Sequence, residues 1–108
     1  FQATQWKLAD MGTELDAAHL LAMRAAWLKE KGRLFSREAS MAKVFATEMC
    51  GRVVDRVVQI YGGAGYLAEY EAERFFRDAR VYRIYEGTTQ ILQLQIAKHM
   101  LREWAAQG

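Results

Sequence analysis

The carboxylate in the most suggestive setting is Glu86. It sits between an aromatic run at residues 82–85 and Gly87-Thr88-Thr89, where a helix should begin. A half-buried carboxylate in such a turn suits general-base work, while spacing alone favours an exposed turn acid. Gly62-Gly63-Ala64-Gly65 invites comparison with a phosphate-cradling loop. The dinucleotide fingerprint needs a strand before it, however, and here a helix precedes, so a helix stop is the simpler reading. Exposed amides in that loop could still meet a ligand.

Other reactive residues are less suggestive. His19 and His99 lack a third ligand at metal spacing, which points to solvated or core-capping histidines and no metal site. Cys50, the single cysteine, excludes an internal disulfide and suits a reducing cytoplasm. No histidine lies near it in sequence, so it is no nucleophile candidate. Trp6, Trp27, Phe45, Phe75, Phe76 and Trp104 follow helical periods and are expected in a core rather than in a base-stacking platform.

The elements that must position these residues are helical. Leu8, Met11, Leu15, Ala18, Ala22 and Ala25 recur by three and four and define a long amphipathic helix ending at Lys31-Gly32, with a second stripe at Leu20, Met23 and Trp27. Ser36 is the expected N-cap of a second helix, in which Ala42, Ala46, Met49, Val53, Val57 and Ile60 keep the period to about Tyr61. A short helix is predicted over 71–80, with Ala72, Phe75, Phe76 and Ala79 on one face. Residues 81–85 alternate as a strand would. With no partner strand to satisfy its backbone, this segment reads as an extended or tightly turned connection. Thr88 or Thr89 then caps a last helix, whose apolar stripe is Ile91, Leu94, Ala97, Leu101 and Trp104.

Composition agrees. The chain has 108 residues, one domain's worth, with 52% hydrophobic residues and no proline, which argues against a turn-rich β-sandwich. A net charge of +2 gives no electrostatic footprint for nucleic acid or an anionic membrane. Arg24, Lys29, Arg52 and Arg56 break the apolar stretches below membrane-spanning length, and no secretory signal follows Phe1. The expected fold is all-α: an antiparallel bundle of three long helices and one short one, spanning residues 1–108.

Three motifs then carry a resemblance: Gln-x-x-Gly-Gly-x-Gly-Tyr at 59–66, Arg-Asp-Ala-Arg at 77–80 and Ile-Tyr-Glu-Gly-Thr at 84–88. Together they resemble the C-terminal helical domain of the acyl-CoA dehydrogenase family, and the helical region from Gln2 to Phe45 is similar too. The resemblance implies the C-terminal part of a longer chain and a four-helix bundle whose first helix would lie before Phe1. It also implies FAD as cofactor, an acyl-CoA thioester as substrate, an electron-transferring flavoprotein as acceptor and a homo-oligomer. The setting it implies is a bacterial cytoplasm or a mitochondrial matrix.

Position by position, Glu86 matches the catalytic base and Gly87 a substrate contact. Thr88, Thr89 and Gln90 match contacts to one subunit's FAD. Gln59, Ile60, Tyr61, Gly62 and Gly63 match the segment reaching a neighbouring subunit's FAD, and Gln2 matches a further flavin contact. Gln93 departs from the arginine of many members. A flavin oxidase or monooxygenase of the same fold, and a non-catalytic helical assembly module, are the alternatives to a thioester dehydrogenase.

Overall fold

The computed structural model describes residues 2–108. Four helices follow in order: α1 (Gln2–Glu30), α2 (Ser36–Tyr61), α3 (Ala72–Arg80) and α4 (Thr89–Gln107). Single 3-10 turns at Gly62–Tyr66 and Val81–Arg83 flank α3, and no strand occurs among the described residues. The tightly turned reading of residues 81–85 is therefore the observed one.

The centre of the bundle is α2, against which α1, α3 and α4 all pack. Both long neighbours run antiparallel to it. Glu14 of α1 faces Arg52 and Arg56 of α2, while Arg37 at the start of α2 reaches Glu103 near the end of α4. On α1, Met11, Ala18, Ala25 and Leu28 are buried and Glu14 and Leu21 half-buried. That spacing of alternately three and four residues is a seven-residue seam, which lets two antiparallel helices stay in contact over their length. Gly32, at φ 69°, ends α1 in the left-handed conformation expected of it.

The bundle is slender, with extents of 54 × 29 × 25 Å. Its radius of gyration is 16.9 Å, where a compact chain of this length would have about 13 Å. Much apolar surface consequently stays outside, and several sequence expectations are corrected. Trp6, Trp27, Phe75, Phe76 and Trp104 are exposed rather than core, and Phe45 is half-buried. On α4 the predicted stripe lies outward: Ile91, Leu94, Ala97, Leu101 and Trp104 are exposed. Thr89 and Leu92 are buried against α2 instead, with Ile96 and His99 half-buried behind them. The cause is that α4 carries two apolar faces, and among the described residues α2 is the helix packed along it, covering one of them. Ser36 is likewise not a cap, since Phe35 occupies the cap position of α2 without a side-chain bond.

Candidate active site

The turn at residues 84–88 is built by three constraints. First, the Val81–Arg83 turn accepts the amides of Ile84 and Tyr85 on the Val81 carbonyl at 2.9 and 3.2 Å, and the Tyr82 and Tyr85 rings stack with centroids 5.9 Å apart. Second, Thr88 caps α4. Its hydroxyl oxygen accepts the Ile91 amide at 3.3 Å, so the first turn of the helix is fixed in place. Third, the Lys43 ammonium on α2 donates to the carbonyls of Tyr85 at 3.0 Å and Gly87 at 2.6 Å.

Between those two carbonyls stands Glu86, at φ 55° the one non-glycine residue in the left-handed region among the described residues. That conformation costs an L-residue roughly 1–2 kcal/mol. It persists only where the surroundings impose it, which marks the residue as a functional candidate. Gly87 follows at φ 99°, and a Cβ there would meet Leu92 Cδ2 at 3.2 Å. The backbone thus favours glycine, and a Cβ would also need the Leu92 side chain to give by a few tenths of an ångström. Glu86 itself is exposed, so of the two settings read from the sequence the half-buried one does not hold in this chain.

Next to the turn, Glu48 of α2 organises the start of α4. The Thr89 hydroxyl donates to its Oε1 at 2.8 Å and Arg83 Nη1 to its Oε2 at 3.2 Å. Burial pushes the Glu48 carboxyl up. The hydrogen bonds from Thr89 and Arg83, with the charges of Arg83 and Arg52, outweigh that and hold it below the usual carboxylate value. The Arg83 guanidinium reaches Glu48 by lying across Gly51, where a Cβ would sit 3.4 Å from its Cζ. Sequence reading missed Lys43, Glu48, Gly51 and Arg83, because nothing in their spacing pairs residues on α2 with a turn some forty positions later.

A small polar cleft of about 140 Å³ opens here, lined by Glu48, Arg80, Arg83, Thr88, Thr89 and Gln90 among others. Its volume suits one phosphate or ribose rather than a whole dinucleotide. Thr89 is buried with its hydroxyl proton committed to Glu48, whereas Gln90 is exposed.

The remaining candidates lie elsewhere. Gln59, Ile60, Tyr61, Gly62 and Gly63 are all exposed at the far end of α2. Eleven residues, or about 16 Å of helix, separate Gln59 from Glu48. Gln2, also exposed, lies toward that same end because α1 runs antiparallel to α2. Gly62 stops α2 at φ 64°, and Gly65 tucks under it so closely that a Cβ would sit 2.4 Å from the Val58 carbonyl oxygen. The structure thus gathers Glu86, Gly87, Thr88, Thr89 and Gln90 in one place and Gln2 with residues 59–63 in another. No group of residues able to hold a metal and no helix long and apolar enough to cross a membrane occurs among the described residues.

Comparison with known proteins finds that the family described as "Acyl-CoA dehydrogenase, C-terminal domain" matches residues 1–101. A curated relative, the "Probable acyl-CoA dehydrogenase YngJ" of Bacillus subtilis (strain 168), is 49% identical over 102 residues, 94% of this chain and 27% of its own length. The "Caffeyl-CoA reductase-Etf complex subunit CarC" of Acetobacterium woodii is 47% identical over 103 residues, 95% of this chain and 27% of its own. Among solved structures, butyryl-CoA dehydrogenase from Megasphaera elsdenii superposes with a TM-score of 0.91 at 40% identity, over 94% of this chain and 26% of that one. The chain therefore spans about a quarter of the length of the relatives it matches.

Proposed function

Because the chain belongs to the acyl-CoA dehydrogenase family, as its C-terminal helical domain, we propose that its parent protein oxidises acyl-CoA thioesters to 2-enoyl-CoA and that Glu86 is the base. The carrying observation is the strained, braced turn that presents this one carboxylate at a helix start. Proton removal next to a thioester carbonyl needs a base within hydrogen-bond reach, and the Glu86 carboxylate would take that proton from the α carbon. Gly87, having no side chain, leaves its backbone open to the thioester beside it.

Bound FAD would accept the hydride leaving the β carbon. The polar cleft at the start of α4 fits part of that cofactor: Thr88 and Gln90 border it, Arg80 and Arg83 supply positive charge, and Thr89 holds the helix start through Glu48. Gln2 and residues 59–63 are too far along the bundle to share that contact, which supports assigning them to the flavin of a second copy. A homo-oligomer is supported further by the exposed Leu20, Met23 and Trp27 on α1, since an apolar patch of this kind is seldom left in water. An electron-transferring flavoprotein as acceptor is supported by the Etf complex to which the CarC relative belongs.

The test is the Glu86→Gln variant of the full-length protein, mixed anaerobically with acyl-CoA. Flavin bleaching should slow by about 10²- to 10⁴-fold with flavin content retained. Bleaching near the parental rate would place the base on another segment.

A further inference from the structure

Lys43 lies half-buried on α2, 44 positions before Gly87, and one ammonium there joins the two carbonyls that flank Glu86. We infer that Lys43 is the positioning residue for Glu86, holding the turn in the conformation that aims its carboxylate. The inference rests on the proposed role of Glu86 as base.

Successive left-handed residues at 86 and 87 turn the carbonyls of Tyr85 and Gly87 toward a common point. Two carbonyl oxygens converging in that way repel each other unless a cation or donor stands between them. An ammonium suits the position, being a compact charge with three donors, two of which the carbonyls use. Charge-assisted bonds of this kind are about twice as strong as neutral ones. They offset both the partial burial of Lys43 and the strain at Glu86.

Thr88, capping α4 on the other side, anchors the turn to its own helix and Glu48 holds the start of that helix through Thr89, while Lys43 ties the carbonyls that flank Glu86 to the centre of the bundle. Without that tie the Glu86 backbone can relax toward the ordinary φ < 0 region. Its carboxylate would then swing by a distance comparable to a side-chain bond or more, and a misplacement of about 1 Å can cost a reaction about 10²-fold.

The experiment uses the full-length protein with its flavin and compares Lys43→Met, Lys43→Arg and Glu86→Gln, with flavin content and melting temperature read first. In Lys43→Met the limiting rate of anaerobic bleaching by acyl-CoA should fall roughly 10- to 100-fold, while the half-saturating substrate concentration changes less than about threefold. Lys43→Arg, which can still bridge two carbonyls, should recover most of that loss. Backbone amide exchange at residues 84–88 should speed up in Lys43→Met by about tenfold or more. Should Lys43→Met not fold, Lys43→Gln, which replaces the ammonium with an uncharged amide on a stem one atom shorter, takes its place.

Bleaching at the parental rate in Lys43→Met while Glu86→Gln is inactive would overturn the positioning role and leave the base assigned. Unchanged exchange at residues 84–88 would overturn the tie itself. Parental bleaching in Glu86→Gln would remove the base, and the inference with it.

Discussion

The two candidate regions are held in opposite ways. The Glu86 turn is braced from a distance, by Lys43 and Glu48 projecting from a helix some forty residues earlier. The loop at 62–66 is braced locally, by a glycine pressed against the carbonyl of the helix it terminates. The first arrangement fixes the direction of a side chain. The second fixes a backbone and leaves exposed Ile60, Tyr61 and Gly63 for something else to touch. On the proposed roles, a base must be aimed whereas a docking loop needs only a shape, and the difference in bracing matches that difference in task.

Gly65→Ala should break the local brace most severely. The new methyl would lie 2.4 Å from Val58 O, an obstacle of backbone that cannot swing aside as a side chain would. Denaturant unfolding of the full-length protein should register a loss of roughly 1–3 kcal/mol. Bleaching by substrate should remain within a few-fold of the parent in the fraction that folds and keeps its flavin, because the Glu86 turn is braced independently.

Thr88→Ala attacks the other region at its cap. Losing the bond to the Ile91 amide should cost about 1 kcal/mol in the same assay. It should also slow bleaching modestly, since the cap adjoins the turn. A stability loss without any kinetic change would blur the distinction between the two regions.

Glu48→Gln is the mildest and the most diagnostic. The Glu48 carboxyl is depressed in the folded state, so its contribution is present above the unfolded value of about 4.3 and is lost as pH falls through the lower folded value. The parent should therefore lose stability in that acid range more steeply than Glu48→Gln does. At pH 7 the variant should be weaker by about 0.5 kcal/mol, from the partly exposed ion pair with Arg83. Parallel pH profiles would mean that the network bears no load.

What the sequence made legible follows from the reach of each signal. Gly32, Gly62 and Thr88 act within one helical turn; the two glycines are legible from their neighbours alone, and the cap is narrowed to Thr88 or Thr89. The end of α2 at Tyr61 was legible for the same reason. Burial was less so. Ile91, Leu94 and Leu101 form a regular stripe, and periodicity cannot say whether a stripe meets this chain or another. Ser36 failed as a cap because Phe35 already held that position with its backbone. The placement of Glu86 in a turn was visible, while its φ of 55° and its tie to Lys43 depend on how α2 lies beside α4, which no local pattern encodes.

The most direct measurement is a structure of the full-length protein with an acyl-CoA thioester or unreactive analogue bound. The account predicts a Glu86 carboxylate oxygen within about 3.5 Å of the α carbon, with Lys43 still bridging the carbonyls of Tyr85 and Gly87. A thioester whose α carbon faces a carboxylate from another segment, with Glu86 turned to solvent, would contradict it.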